Sequence, residues 1–141
     1  MTDAYHLQRF LDAQERVYDT VLNELRAGRK ASHWIWFIFP QIAGLGRSAM
    51  AQQFAIGSLD EAKAYLQHPV LGQRLRECTQ LVLDVNGRSA EEIFSYPDNL
   101  KFRSCMTLFL TAATDNTIFK DALLKYFDGK PDQSTFDILA Q

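Results

Sequence analysis

The chain has 141 residues, 47% hydrophobic and 23% charged, with a formal net charge of −2. That balance supports one folded domain over residues 1–141 and excludes disorder, and a chain of this length buries roughly two thirds of its unfolded surface without metals or disulfides. The slightly acidic charge gives no general attraction to nucleic acid or anionic membranes, and no basic, aromatic-interleaved stripe restores one.

The opening "MTDAYHLQRF" has neither the basic region nor the apolar stretch of a signal peptide, and no apolar run approaches the ~20 residues of a membrane span. A cytoplasmic location is therefore expected. From Leu7 to Leu25 an apolar stripe passes through Phe10, Leu11, Val17, Tyr18, Val21 and Leu22 at helical spacing, with a break near Gln14, and Gly28 ends it. "SLDEAKAYLQ" pairs Ser58 with Glu61 as a capping box, and His68-Pro69 stops that helix. "PVLGQRLRECTQLVLDV" restarts with an apolar line through Leu71, Leu75, Cys78, Val82 and Val85, closed by Asn86-Gly87. Ser89 and Glu92 repeat the capping pattern for a short helix. "NLKFRSCMTLFLTAAT" follows Tyr96-Pro97-Asp98, "TIFKDALLKYF" ends at Asp128-Gly129, and "STFDILAQ" is a last short helix. The fold class is all-α: a single domain of about seven or eight helices packed around a buried aromatic segment.

That segment is "HWIWFIF", whose aromatic and β-branched content taken alone favours a strand. A lone strand would leave its backbone groups unpaired, and no second convincing strand is present. Ser32 before it suits a helix cap and Pro40 after it a helix stop, so a short buried helix is expected.

The chain resembles a bacterial family of small, mainly helical proteins, the domain of unknown function eighteen-ten, whose members are often labelled calpastatin. "GRKASHWIWFIFPQIAGLGRS", "EAKAYLQHPVLGQRL", "DNLKFRSCMTLF" and "GKPDQSTFDIL" carry the resemblance in this order over nearly the whole chain. The third stretch departs slightly, since the family usually has two serines where Ser104-Cys105 stand. The resemblance implies a helical fold and supplies no catalytic residues. The calpastatin label implies a flexible, repeated protease inhibitor, which this compact, repeat-free sequence contradicts.

Four places have chemical potential. In "KASHW", Arg29 and Lys30 stand before a helix start with Ser32 as cap, so an anion there would meet side-chain charge and free amides; a neutral His33 would hydrogen-bond or act as the weak catalytic candidate. The plainer alternative is solvated basic residues, a cap and a core histidine. In "GLGRS", Gly44, Gly46 and Ser48 permit close backbone approach to a phosphate, or simply form a tight turn with a cap. Lys101 flanks Ser104 on a helix whose hydroxyls Ser104, Thr107 and Thr111 either face a ligand or bond back to their own carbonyls. Trp34 and Trp36 stack on a ligand or fill the core. Gln41 joins these as a ligand-binding candidate.

A Cys105 nucleophile with His33 and Asp98 is rejected, because Cys105 lies mid-helix in an apolar setting where thiols are inert. Both cysteines, Cys78 and Cys105, are expected as reduced, buried thiols. His6, His33 and His68 are too far apart for a metal site, and no cofactor is expected. The leading expectation is a small-molecule-binding domain for a nucleotide-like or other anionic ligand, with hydrolase or transferase activity left open. Its competitor is a protein-interaction or regulatory module without chemistry. The ligand-site expectation requires Lys30, His33, Lys101 and Ser104 to face one cavity.

Overall fold

The computed structural model describes residues 3–141 and holds ten helices. They are α1 (Gln8–Glu15), α2 (Tyr18–Arg26), α3 (Ile35–Ile38), α4 (Ala49–Gln53), α5 (Leu59–Gln67), α6 (Leu71–Leu83), α7 (Ala90–Phe94), α8 (Asp98–Ala112), α9 (Thr117–Phe127) and α10 (Gln133–Leu139). The count exceeds the expected seven or eight, with the first stripe forming two helices. The first stripe breaks at Arg16-Val17, where Val17 takes φ −130° and leaves helical geometry.

Local signals end most helices where the sequence puts them. His68 adopts extended backbone before Pro69, and Asp128 turns left-handed to close α9. Ser89 and Glu92 form a complete capping box. The Ser58 box is only half formed. Its hydroxyl accepts from the Glu61 amide, but the Glu61 carboxylate turns to the Gly57 amide (3.0 Å) and the Arg9 guanidinium (3.0 Å).

The core is organised around α8, which meets α3, α5, α7, α9 and α10. Residues Ser104 to Phe109 are buried all round the helix, as in a helix with no solvent face. Phe102 stacks on Phe94 (centroids 4.7 Å) and takes Phe39 edge-on (4.9 Å). Such aromatic pairs add roughly 0.5–1.5 kcal/mol each beyond the area they bury. Cys78 and Cys105 are both free and buried. Burial raises the Cys78 thiol to about 12 and raises that of Cys105 as well, so neither forms thiolate near neutrality.

The aromatic segment differs from expectation in its start. Ser32 does not cap it; α3 begins after Trp34, whose backbone takes φ −140° and which makes no side-chain cap. The helix is one turn, Ile35–Ile38, and leaves helical geometry at Phe39 before Pro40. The chain then pairs Ile42 with Ile56 in a parallel bridge, through Ile56 N–H to the Gln41 carbonyl and Ala43 N–H to the Ile56 carbonyl (both 2.8 Å). The aromatic stretch thus feeds a short extended pair that no local pattern announced.

Candidate functional site

The loop before α3 is built on one carboxylate. Glu24 of α2 accepts from the Ala31 amide (2.7 Å), the Ser32 amide (2.9 Å), the Ser32 hydroxyl (2.6 Å) and the Trp34 indole (2.9 Å). Burial opposes ionisation of this carboxyl, but the donors of Ser32, Ala31 and Trp34 outweigh it and hold its pKa at about 2. Ser32 is therefore committed to Glu24, and Trp34, 1% exposed, is core with its donor satisfied. His33 lies exposed, outside α3, rather than in the first turn of a helix.

Two lysines from distant parts of the chain meet at Asp98. Lys30 Nζ lies 2.8 Å from Asp98 Oδ2 and donates to the Ser32 carbonyl (2.5 Å), while its side chain is 6% exposed. Lys101 Nζ lies 3.3 Å from Asp98 Oδ1, with its side chain 26% exposed. Each ammonium also sits by an indole, Lys30 at 5.1 Å from the Trp34 ring and Lys101 at 5.3 Å from the Trp36 ring. Asp98 is the residue that the sequence reading missed in this role. The i, i+3 spacing to Lys101 is visible in the sequence, but the meeting with Lys30 is not.

Trp36 also walls a cleft of about 170 Å³, with Gln41, Gly44, Gly46, Gln52 and Phe54 among its lining. Gly44 has φ +105°, and a Cβ on Gly46 would come within 2.5 Å of Ala51, so both glycines are needed for the turn itself. Ser48 caps α4 by accepting from the Ala51 amide. The "GLGRS" stretch is accordingly a turn and a cap that shape one wall of the cleft. Arg9 holds the segment after α4 by donating to the carbonyls of Gln53 (2.9 Å) and Ala55 (2.8 Å), the latter a residue of the cleft's lining. The Trp36 indole N–H is buried and has no hydrogen-bond partner.

Ser104 and Thr107 belong elsewhere. Ser104, Thr107 and Thr111 all bond back to carbonyls one turn earlier. Ser104 also donates to Asp132 Oδ2 (3.1 Å), and the Asp132 amide donates to the Thr107 hydroxyl (2.8 Å). Asp132 in turn caps α10 through Thr135. The hydroxyl face of α8 is thus the anchor of α10, not a wall of the cleft. Ser104→Ala is expected to cost about 1 kcal/mol in chemical denaturation, the worth of one such bond.

Lys30 and Lys101 thus converge on Asp98, Trp36, Gln41, Gly44 and Gly46 line one cleft that Lys101 meets only through the Trp36 ring, and His33 and Ser104 join neither group. A larger groove of about 430 Å³ lies between the N-terminal segment, α1 and α5. Its polar groups are committed: the Asp3 carboxylate accepts the Leu7 and Gln8 amides, and His68 Nδ1 accepts those of Val70 and Leu71. Among the described residues no group of three or more His, Cys, Asp or Glu is arranged to hold a metal ion. No helix among them is long and apolar enough to cross a membrane.

Comparison with known proteins adds kinship without chemistry. A family model described as protein of unknown function (DUF1810) matches residues 4–139. The crystal structure of the conserved hypothetical protein Rv1873 from Mycobacterium tuberculosis is similar at 54% identity and a TM-score of 0.97, covering 99% of each chain. No curated protein matches.

Proposed function

Because the chain belongs to the family described as protein of unknown function (DUF1810), which assigns no reaction, we propose from the site's own chemistry that the protein binds a small anionic molecule in the Trp36 cleft. One observation carries this reading: Trp36, which walls the cleft, has a buried indole N–H without an acceptor, and the Lys101 ammonium lies 5.3 Å from its ring. An orphaned buried donor costs roughly 1–3 kcal/mol, which a ligand oxygen accepting from Trp36 would remove. Lys101 would supply the opposite charge.

The volume sets the scale. Pockets that enclose drug-sized ligands run to about 300–1,000 Å³, and at about 170 Å³ this cleft would enclose a carboxylate or a single phosphate group, not a whole nucleotide. Binding is better supported than hydrolysis or transfer, since the hydroxyls of Ser32 and Ser104 are held by Glu24 and Asp132 and His33 stands apart. An interaction module draws less support. Tyr5, Val70, Tyr96, Leu100 and Leu124 are exposed, but they are spread from the N-terminal segment to α9, and scattered apolar side chains are ordinary.

Tryptophan fluorescence and thermal shift on the full chain, titrated with formate, acetate and phosphate, test the reading. Trp36→Phe keeps a ring and removes the unsatisfied donor, so its stability is expected to change by less than about 1.5 kcal/mol while anion affinity falls about tenfold. An unchanged affinity in Trp36→Phe, or no response to any of the three anions, would overturn it.

A further inference from the structure

We infer that the Trp36 cleft is specific for a short-chain monocarboxylate, with Gln41 as the residue that selects it. The inference rests on the ligand-binding reading of the cleft and adds the chemical class of the ligand.

Most of the lining is apolar. Trp36, Ile42, Ala51 and Phe54 stand in the walls, and among the described residues none that lines the cleft carries a charge. Phe54 is held by the rings of Phe10 (5.7 Å) and Phe37 (5.3 Å), so its wall is formed before a ligand arrives. Two lining side chains are polar, Gln41 and Gln52. Gln52 is committed, since its Nε2 donates to the Arg47 carbonyl (3.0 Å). Gln41 is not. Its backbone carbonyl accepts the Ile56 amide (2.8 Å), which fixes the residue at the cleft. Its half-buried carboxamide makes no hydrogen bond among the described residues and is not enclosed. Gly44 and Gly46 complete this polar end, with backbone amides that donate to no group among the described residues.

A ligand that matches this lining has one polar end and one apolar end. The Gln41 Nε2 and the glycine amides are N–H donors, and they suit the two oxygens of a carboxylate. The apolar walls suit a hydrocarbon tail, whose burial adds affinity with each methylene. Such donors offset one delocalised charge. A second, as phosphate carries at neutral pH, loses its hydration and meets no cation in the lining. At roughly 30 Å³ for each water-sized group, the cleft of about 170 Å³ takes about five or six non-hydrogen atoms, the size of propionate or butyrate.

Isothermal titration of the full chain at neutral pH and constant ionic strength runs from formate through acetate, propionate and butyrate to hexanoate, beside phosphate and butyramide. Wild-type affinity is expected to rise about fourfold with each methylene up to butyrate and to gain nothing further at hexanoate, which outgrows the cleft. Butyramide keeps the shape without the charge and is expected to bind about tenfold more weakly than butyrate, as is phosphate. Gln41→Met keeps the length of the side chain and removes its donors, so every acid is expected to lose about tenfold while the step per methylene stays. Gln41→Glu is expected to abolish binding of the acids and to spare butyramide. An affinity flat from formate to butyrate, or phosphate or butyramide binding as tightly as butyrate, would overturn the monocarboxylate assignment while leaving the cleft as a binding site; none of these readings depends on a variant that folds. Folded Gln41→Met or Gln41→Glu that binds butyrate like wild type would remove Gln41 from the role. Failure of wild type to bind any of these ligands would sink the ligand-binding reading itself.

Discussion

Replacing Glu24 by alanine is expected to lower the unfolding free energy by about 3 kcal/mol and the melting temperature by about 10 °C. Four donors converge on this one carboxylate, two amides, a hydroxyl and an indole N–H. Removing it leaves the Trp34 donor stranded in the core and frees the loop that carries Lys30 to Asp98. The effect is pH-dependent with a definite sign. The folded carboxyl titrates at about 2 against an ordinary 4.5. A depressed carboxyl contributes stability that is fully present above about pH 4.5 and drains away as the pH falls toward 2. Glu24→Gln keeps the shape and removes the charge, so its stability curve should be flatter through that window than the wild type's. Equal acid limbs in the two proteins, measured by urea unfolding at stepped pH, would refute the assignment.

A comparable loss, about 3 kcal/mol, is expected for Gln14→Ala. Gln14 is 1% exposed, and its side-chain amide donates to the Phe37 carbonyl (2.8 Å) and the Tyr65 hydroxyl (3.1 Å), while its oxygen accepts from Arg74 (3.2 Å). It ties α1 to the end of α3 and to α5 and α6. Alanine leaves two buried partners unanswered and a cavity besides. Gln14→Met refills the volume without the bonds, and it should recover only the cavity share. Combining Gln14→Ala with Tyr65→Phe should cost less than the sum by about 1 kcal/mol, because both changes remove the same bond. Full stability in Gln14→Met would mean that the amide's bonds contribute nothing.

Both residues show where reading the sequence stops. Gln14 stood at the place where the first apolar stripe faltered, and it looked like an interruption. In the fold it is a buried polar junction, because three helices bring a carbonyl, a hydroxyl and a guanidinium to it. Glu24 lies on an amphipathic helix between exposed Asn23 and buried Leu25, so nothing local separates it from a solvated carboxylate. The same holds for Arg9 and Asp98. Ser32 has the local marks of a cap, yet a carboxylate eight residues earlier outcompetes the helix start for its hydroxyl. The hydroxyl face of α8 was legible as a face, but only the docking of α10 decided that Asp132 would occupy it.

The sequence by itself determined the helical class, most helix ends, the aromatic core and the burial of both cysteines. Those features follow from the spacing of apolar residues, from proline and glycine geometry and from caps within four residues, all of which act over one or two turns. The tertiary structure alone decided the polar constellation: Lys30 with Lys101 on Asp98, Glu24 under the loop, and Trp36 on the cleft wall with its buried N–H unanswered. Charges and hydrogen-bond donors carry no periodic signature that names a partner 68 residues away, as Lys30 and Asp98 are. Their roles are fixed when packing of the apolar faces removes water and leaves each polar group only the neighbours that the fold supplies.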